Sequence, residues 1–334
     1  MELNRFEWLA QRVEEPIDPN RAIVDPHHHL WDNRGGTYLA EELLADTTAG
    51  HNVVKTVFVE CRSKYDRDAP DSMQPVGETR FVARQAAMAA AAGRTEIAGI
   101  VSHADMMLGD SVEEVLAAHD GAGNGLFRGI RHAVSLDPHP DIPVGHNNPA
   151  PSMMATPQFH AGVATLGRMD FSFDAWLYHP QLPQLLELAR AVPETSIILN
   201  HLGGPLGIGP YADDRAGAMA TWRASMTDVA GCDNVTLKVG GIGMDGYYGL
   251  GWTDQPIPPD SDAVVAAWQD RVHFSIDTFG PDRCMFESNF PVDRQALTYP
   301  VLWNALQKMA APYSDAEQDQ LFSGTATRVY RLSA

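Results

Sequence analysis

The stretch Ala22-Ile23-Val24-Asp25-Pro26-His27-His28-His29-Leu30-Trp31 begins as a short apolar run and breaks into three consecutive histidines. In an extended chain, side chains two residues apart share a face, so His27 and His29 project together while His28 points elsewhere. Neutral imidazoles presented as a pair suit a divalent metal or a polarised carbonyl.

Downstream, short β-branched runs alternate with longer amphipathic stretches. Counting 22–25 as the first strand, further strands are expected at 53–60, 96–101, 127–132, 171–176, 196–200, 235–239 and 283–286. Helical patterns fall between them at 82–92, 183–192, 216–230 and 263–279. Eight alternations predict an α/β fold, a (β/α)8 TIM barrel formed by one domain over 1–334, with 1–20 as an N-terminal extension. Two connections rich in Pro and Gly, 137–157 and 240–262, follow strands four and seven. Loops that leave strand C-termini form the mouth of such a barrel, so these two are expected to cover the site.

Other strand ends carry chemistry as well. Strand six ends as Ile197-Ile198-Leu199-Asn200-His201 and then runs into Gly203-Gly204, which places a third imidazole at the mouth. Strand eight runs Cys284-Met285-Phe286-Glu287-Ser288-Asn289-Phe290-Pro291-Val292-Asp293. Alternation lets only one or two of Glu287, Asn289 and Asp293 point inward. Glu60, at the end of strand two, is a carboxylate with either a catalytic role or a salt bridge to Arg128 or Arg131. On strand four, Arg128 and Arg131 face opposite ways, so at least one is expected at the mouth, where a guanidinium grips a carboxylate bidentately. His179 and Lys238 are weaker candidates for the same rim. Tyr247, Tyr248 and Trp252, in the loop after strand seven, are positioned to pack on a flat substrate, with Tyr248 and Trp252 taken as contacts.

Composition narrows the partner. With 24 Lys and Arg against 43 Asp and Glu, the formal charge of −19 repels nucleic acid and anionic membrane. A small-molecule substrate is expected, with arginines guiding any carboxylate it carries. The three cysteines Cys61, Cys232 and Cys284 form no C-x-x-C pair, which fits a reducing cytoplasm. Residues 1–16 lack the apolar core of a signal peptide, and no run approaches a membrane span. Barrels of this size often pair, so a homodimer is allowed.

The D-P-H-H-H-L-W opening, the L-N-H-L-G-G-P stretch and the S-N-F-P-V-D ending resemble the amidohydrolase-2 branch of the amidohydrolase superfamily, over most of the chain. The likeness extends to Gly324-Thr325-Ala326 and Arg328-Val329-Tyr330, and within the branch it points to lactone hydrolases. It implies that His27 and His29 are the strand-one pair and His201 the strand-six histidine. The family's strand-eight Asp, a metal ligand and general base, is here Asn289, whose amide cannot take a proton at neutral pH. Strand four offers no bridging Glu or modified Lys, so the resemblance implies one divalent ion (Zn or Mn) or none, held by His27 and His29 with His201 as a further ligand.

The expected reaction is hydrolysis of a small cyclic ester or related carbonyl compound. Glu60 or Glu287 activates water, His27 and His29 stabilise the oxyanion, and His201 polarises the carbonyl or relays a proton. Two alternatives stand beside it: non-oxidative decarboxylation of an aromatic or unsaturated acid, and a binding protein that keeps the barrel without catalysis.

Overall fold

The computed structural model describes residues 5–34 and 36–333, so residues 1–4 of the expected extension, together with 35 and 334, lie outside the described residues. Eight parallel strands form one sheet in sequential order: β1 Ala22–His28, β2 Asn52–Val59, β3 Glu96–Ser102, β4 Phe127–Arg131, β5 Ser172–Ala175, β6 Ile197–Leu199, β7 Val235–Val239 and β8 Cys284–Phe286. Helices alternate with them, as a (β/α)8 barrel requires.

The barrel closes just beyond β8. Asn289 N donates to His27 O at 2.9 Å and His29 N to Phe290 O at 2.8 Å. Asp25 reinforces the seam, accepting from Ser288 N at 2.9 Å and from the Tyr299 hydroxyl at 2.9 Å. Burial outweighs these donors and pushes the Asp25 carboxyl up to about 6. β1 runs three residues further than the sequence pattern suggests, carrying His27 within the strand.

Helix boundaries follow local chemistry. The Asp260 side chain accepts from Ala263 N at 2.9 Å and starts Ser261–Phe279, a cap worth about 1 kcal/mol. Leu182–Ala191 has Pro in its first turn and buries Leu182, Leu185 and Leu188 at helical spacing against the barrel.

Alternation stacks the barrel interior in layers. The lower layer is apolar, with Val24, Val57, Ala98, Ile198 and Met285 packed against Ala326, Val329 and Tyr330 of the C-terminal segment. Toward the C-terminal ends of β4, β5, β7 and β8 the interior turns polar. Glu287 follows Met285, and Arg131, Asp174 and Lys238 join it from β4, β5 and β7, all buried. No helix among the described residues is long and apolar enough to cross a membrane.

Candidate active site

Lys238 and Asp174 make a fully buried ion pair at 2.8 Å in the floor of the polar layer. Asp174 also accepts from Asn200 Nδ2 at 2.9 Å and from the Tyr330 hydroxyl at 2.9 Å. A buried pair of this kind holds only when its remaining lone pairs are satisfied, as they are here at Asp174. Lys238 Nζ lies 3.4 Å from His27 Nδ1, linking the floor to the histidines.

Glu287 sits between two imidazoles. His201 Nδ1 approaches Oε1 at 2.6 Å, and His27 Nδ1 stands 2.6 Å from Oε2. The His27 contact is an ion-pair approach only, and Oε2 has no directional hydrogen bond among the described residues. The ring centroids of His27 and His201 are 4.6 Å apart, and those of His27 and His29 are 5.0 Å apart.

Partners assign the tautomers. Arg131 Nη1, a donor, faces His27 Nε2 at 3.2 Å, and at Nδ1 the acceptor Glu287 Oε2, at 2.6 Å, lies closer than the Lys238 ammonium at 3.4 Å, so the His27 proton sits on Nδ1. His29 Nδ1 lies 2.8 Å from the Val59 carbonyl and therefore donates to it. His201 gives its Nδ1 proton to Glu287, leaving the Nε2 lone pair for the cavity. All three rings are held neutral at physiological pH. Burial pushes His27 down, helped by Lys238, and pushes His29 down, helped by Arg131; for His201, burial outweighs the opposing pull of Glu287.

Arg131 ties β4 to β2. Its Nε donates to Glu60 Oε1 at 2.9 Å and its Nη2 to Glu60 O at 2.6 Å. His146, from the loop after β4, meets the same Oε1 at 2.8 Å. Burial raises the Glu60 carboxyl, but His146 and Arg131 outweigh it and hold the group well below the usual carboxylate range.

Above this network lies a cavity of about 330 Å³. His29, His201, Arg131 and Asn289 face it from the strand ends, Trp31, Arg34 and Cys61 from the loops after β1 and β2, and Trp176 from the end of β5. Both long mouth loops contribute, with Gly145 and His146 from the first and Met244 and Tyr247 from the second. The Trp176 ring meets the His201 ring edge-on at 4.7 Å, which fixes the imidazole from its open side.

Several sequence expectations change. Arg128 points to the outside of the barrel, where its Nη1 donates to Gly125 O at 2.7 Å, because strand alternation gives the inner face to Arg131. His179 is buried behind the cavity, accepting from Leu206 N at 3.2 Å and packing on Tyr211. Tyr248 packs edge-on against Trp268, and Trp252 anchors the loop, so Tyr247 is the aromatic that reaches the cavity. Glu60 lies beneath the wall and is a weak base, its charge spent on Arg131 and His146. Asp293 is buried, accepting from Gly243 N at 2.7 Å and from Asn289 Nδ2 at 2.8 Å. His27 and His29 carry no N–H toward the cavity, so neither donates to an oxyanion.

His146, Arg34, Trp176 and Asp174 escaped the sequence reading. A charged residue within an apolar strand run is the available signal for Asp174, whereas Lys238 is marked by its place near the end of strand seven. His146 sits in an irregular loop, where no periodicity points to it.

One ligand atom each from His27, His201 and Glu287 lies within 4.8 Å of the others, the sole such group among the described residues. Two imidazoles and a carboxylate with an unpartnered oxygen are a donor set that fits one zinc or manganese ion. His29 is outside this group.

A sequence model described as Amidohydrolase matches residues 24–332. An uncharacterized protein of Sinorhizobium fredii is 33% identical, covering 93% of this chain and 99% of the relative. An L-fucono-1,5-lactonase of Burkholderia multivorans is 26% identical, covering 92% and 96%. Among solved structures, an amidohydrolase from Burkholderia multivorans with bound zinc superposes with a TM-score of 0.72 at 23% identity, covering 93% of this chain and 100% of that one.

Proposed function

The chain belongs to the amidohydrolase family, and from that premise we propose that its cavity opens a small cyclic ester by hydrolysis. The observation that carries this reading is the Glu287–His201 pair, 2.6 Å apart, at the base of the cavity beside Arg131. The lactonase relative supports the same class of substrate.

His201 is neutral, with its Nδ1 proton anchored on Glu287. Its Nε2 takes a proton from a water as the oxygen attacks the ester carbonyl carbon. Glu287 stabilises the resulting imidazolium without itself being protonated. Arg131 has five N–H donors and spends three on Glu60 and His27, so the others stabilise the developing oxyanion. Collapse of the tetrahedral centre breaks the ring C–O bond. The alkoxide takes the proton back from His201, giving a hydroxy acid. Asn289 spends its amide N–H on Asp293 and offers its carbonyl oxygen to hold the water or a ring hydroxyl.

In a metal-loaded state, distinct from the one just described because ligation would use the lone pair with which His201 otherwise takes the proton, His27, His201 and Glu287 would hold a divalent ion, which would supply Lewis-acid polarisation of a carbonyl or water. Arg34, exposed at the rim with Nη2 on the Cys61 carbonyl, is placed to meet a substrate carboxylate. Trp31, Trp176 and Tyr247 give the ring flat apolar walls.

Kinetics on a panel of five- and six-membered lactones tests the assignment. His201→Ala and Glu287→Gln are each expected to lower kcat by about 10²–10⁴-fold, the span of a general base and its orienting partner. Unchanged lactone hydrolysis in both variants would overturn it.

A further inference from the structure

The chain crosses one partition at three places. Cys61 lines the catalytic cavity and Arg62 lines a second cavity, of about 320 Å³, and the same switch occurs between Arg131 and His132 and between His146 and Asn147. The partition centres on the Glu60 carboxylate, whose Oε1 takes Arg131 Nε at 2.9 Å and His146 Nε2 at 2.8 Å. On its far side His103 Nδ1 donates to the carbonyl of the same Arg131 at 3.1 Å. Consecutive residues that face opposite cavities leave it about one side chain thick.

We infer that His146 is a specificity-determining residue: its imidazole ends the catalytic cavity on this side and restricts a ring-shaped substrate to small substituents there. This selection presupposes that a lactone occupies the catalytic cavity, as proposed above.

His146 is the removable part of the partition. Glu60 and Arg131 sit at strand ends with side chains 0% and 4% exposed, whereas the His146 side chain is 29% exposed on the loop after β4. That loop holds its path without the imidazole. Gly145 N donates to Ser135 O at 2.8 Å, the Tyr178 hydroxyl to Pro143 O at 2.6 Å and Arg62 Nη1 to the His146 carbonyl at 2.6 Å. Truncating the side chain therefore takes away the ring and leaves the backbone where it is, with Arg131 still on Glu60.

Beyond the partition, a substituent would meet Met107, Met153 and the rings of His103 and His132, which lie edge-on with centroids 5.1 Å apart. Thioether and aromatic surfaces of this kind accept an aryl group. A blocking ring discriminates by the clash it imposes on the larger ligand, so its effect is read as a ratio between two ligands rather than as a rate.

Titration calorimetry on the full chain tests this with two lactams, 2-piperidone, which matches a bare six-membered lactone in size, and 6-phenyl-2-piperidone, which adds an aryl group. Calorimetry reads occupancy without turnover, so the result stands apart from the hydrolysis assay. His146→Ala is expected to bind the aryl lactam at least about tenfold tighter than the parent chain does, and to change the affinity for 2-piperidone less than about threefold. His146→Phe keeps an aromatic ring at the partition but no donor for Glu60, and is expected to leave both affinities near those of the parent. The inference is overturned if the aryl lactam binds the parent as tightly as it binds His146→Ala, if it binds neither, or if His146→Phe tightens it as much as His146→Ala does, because a lost hydrogen bond rather than lost bulk would then be responsible. A lactone screen that fails while this contrast holds would count against the hydrolysis alone.

Discussion

Glu78 makes the stability of this protein depend on pH in a way one substitution should erase. Its carboxyl is fully buried, with Oε1 accepting from Ser63 N at 2.6 Å and Cys61 N at 3.2 Å, while Oε2 has no hydrogen-bond partner among the described residues. Burial, with the charge of Glu60 adding to it, pushes the group up from 4.5 to about 8. The folded chain therefore keeps a proton that the unfolded chain has released, and stability falls as pH rises across that window, then levels off. Each pH step within it costs about 1.4 kcal/mol. Glu78→Gln retains an acceptor for both backbone N–H groups and has no charge to bury. The stability of the variant minus that of the parent chain should accordingly grow by roughly 2–3 kcal/mol between about pH 6 and about pH 8, then stay level. Urea unfolding followed by tryptophan fluorescence at stepped pH measures this difference directly. Two curves that run parallel across the range would refute the reasoning, because the buried carboxyl would then not be the group holding the proton.

Three other outcomes are expected. Arg131→Lys keeps the charge but loses the fork shared between Glu60 and the cavity, and should lower kcat/KM on a lactone substrate about 10²-fold, whereas Arg128→Ala, on the outer face, should change it less than about threefold. Tyr330→Phe removes a donor to the buried Asp174 and should cost about 1.5–3 kcal/mol in urea unfolding; a loss under about 0.5 kcal/mol would show that Asp174 does not depend on it. Zinc titrated into metal-stripped protein should saturate at one ion per chain and fail to be retained by Glu287→Gln, and elemental analysis showing two ions would contradict the three-residue donor set.

The barrel was legible because a parallel sheet covered on both faces needs apolar runs, and the eight runs between helical patterns stand out even where a strand is only three residues long, as in β6 and β8. Within the site, legibility followed strand register. Alternation separates Arg131 from Arg128 and pairs Glu287 with Met285, but it cannot say which of the two arginines faces in without knowing where the neighbouring strands sit. Glu60 illustrates a further limit: the sequence shows a carboxylate at a strand end, and only the arrival of Arg131 and His146 from elsewhere in the chain turns it into an anchor. Tyr248 and Tyr247 are adjacent on a short helix, Asp245–Tyr248, so one faces in and the other packs back, and a loop without periodicity gives no reason to choose.

Translation adds a constraint of its own. Asp174, Asn200 and Lys238 are synthesised long before Tyr330, whose hydroxyl completes their hydrogen bonding. A chain that ends before residue 330 lacks the hydroxyl that both Asp174 oxygens accept from, so burying the Lys238–Asp174 pair would cost it more than the full chain. Premature stop codons only a few positions upstream of Tyr330 should therefore yield chains that chaperones and proteases recognise as unfinished.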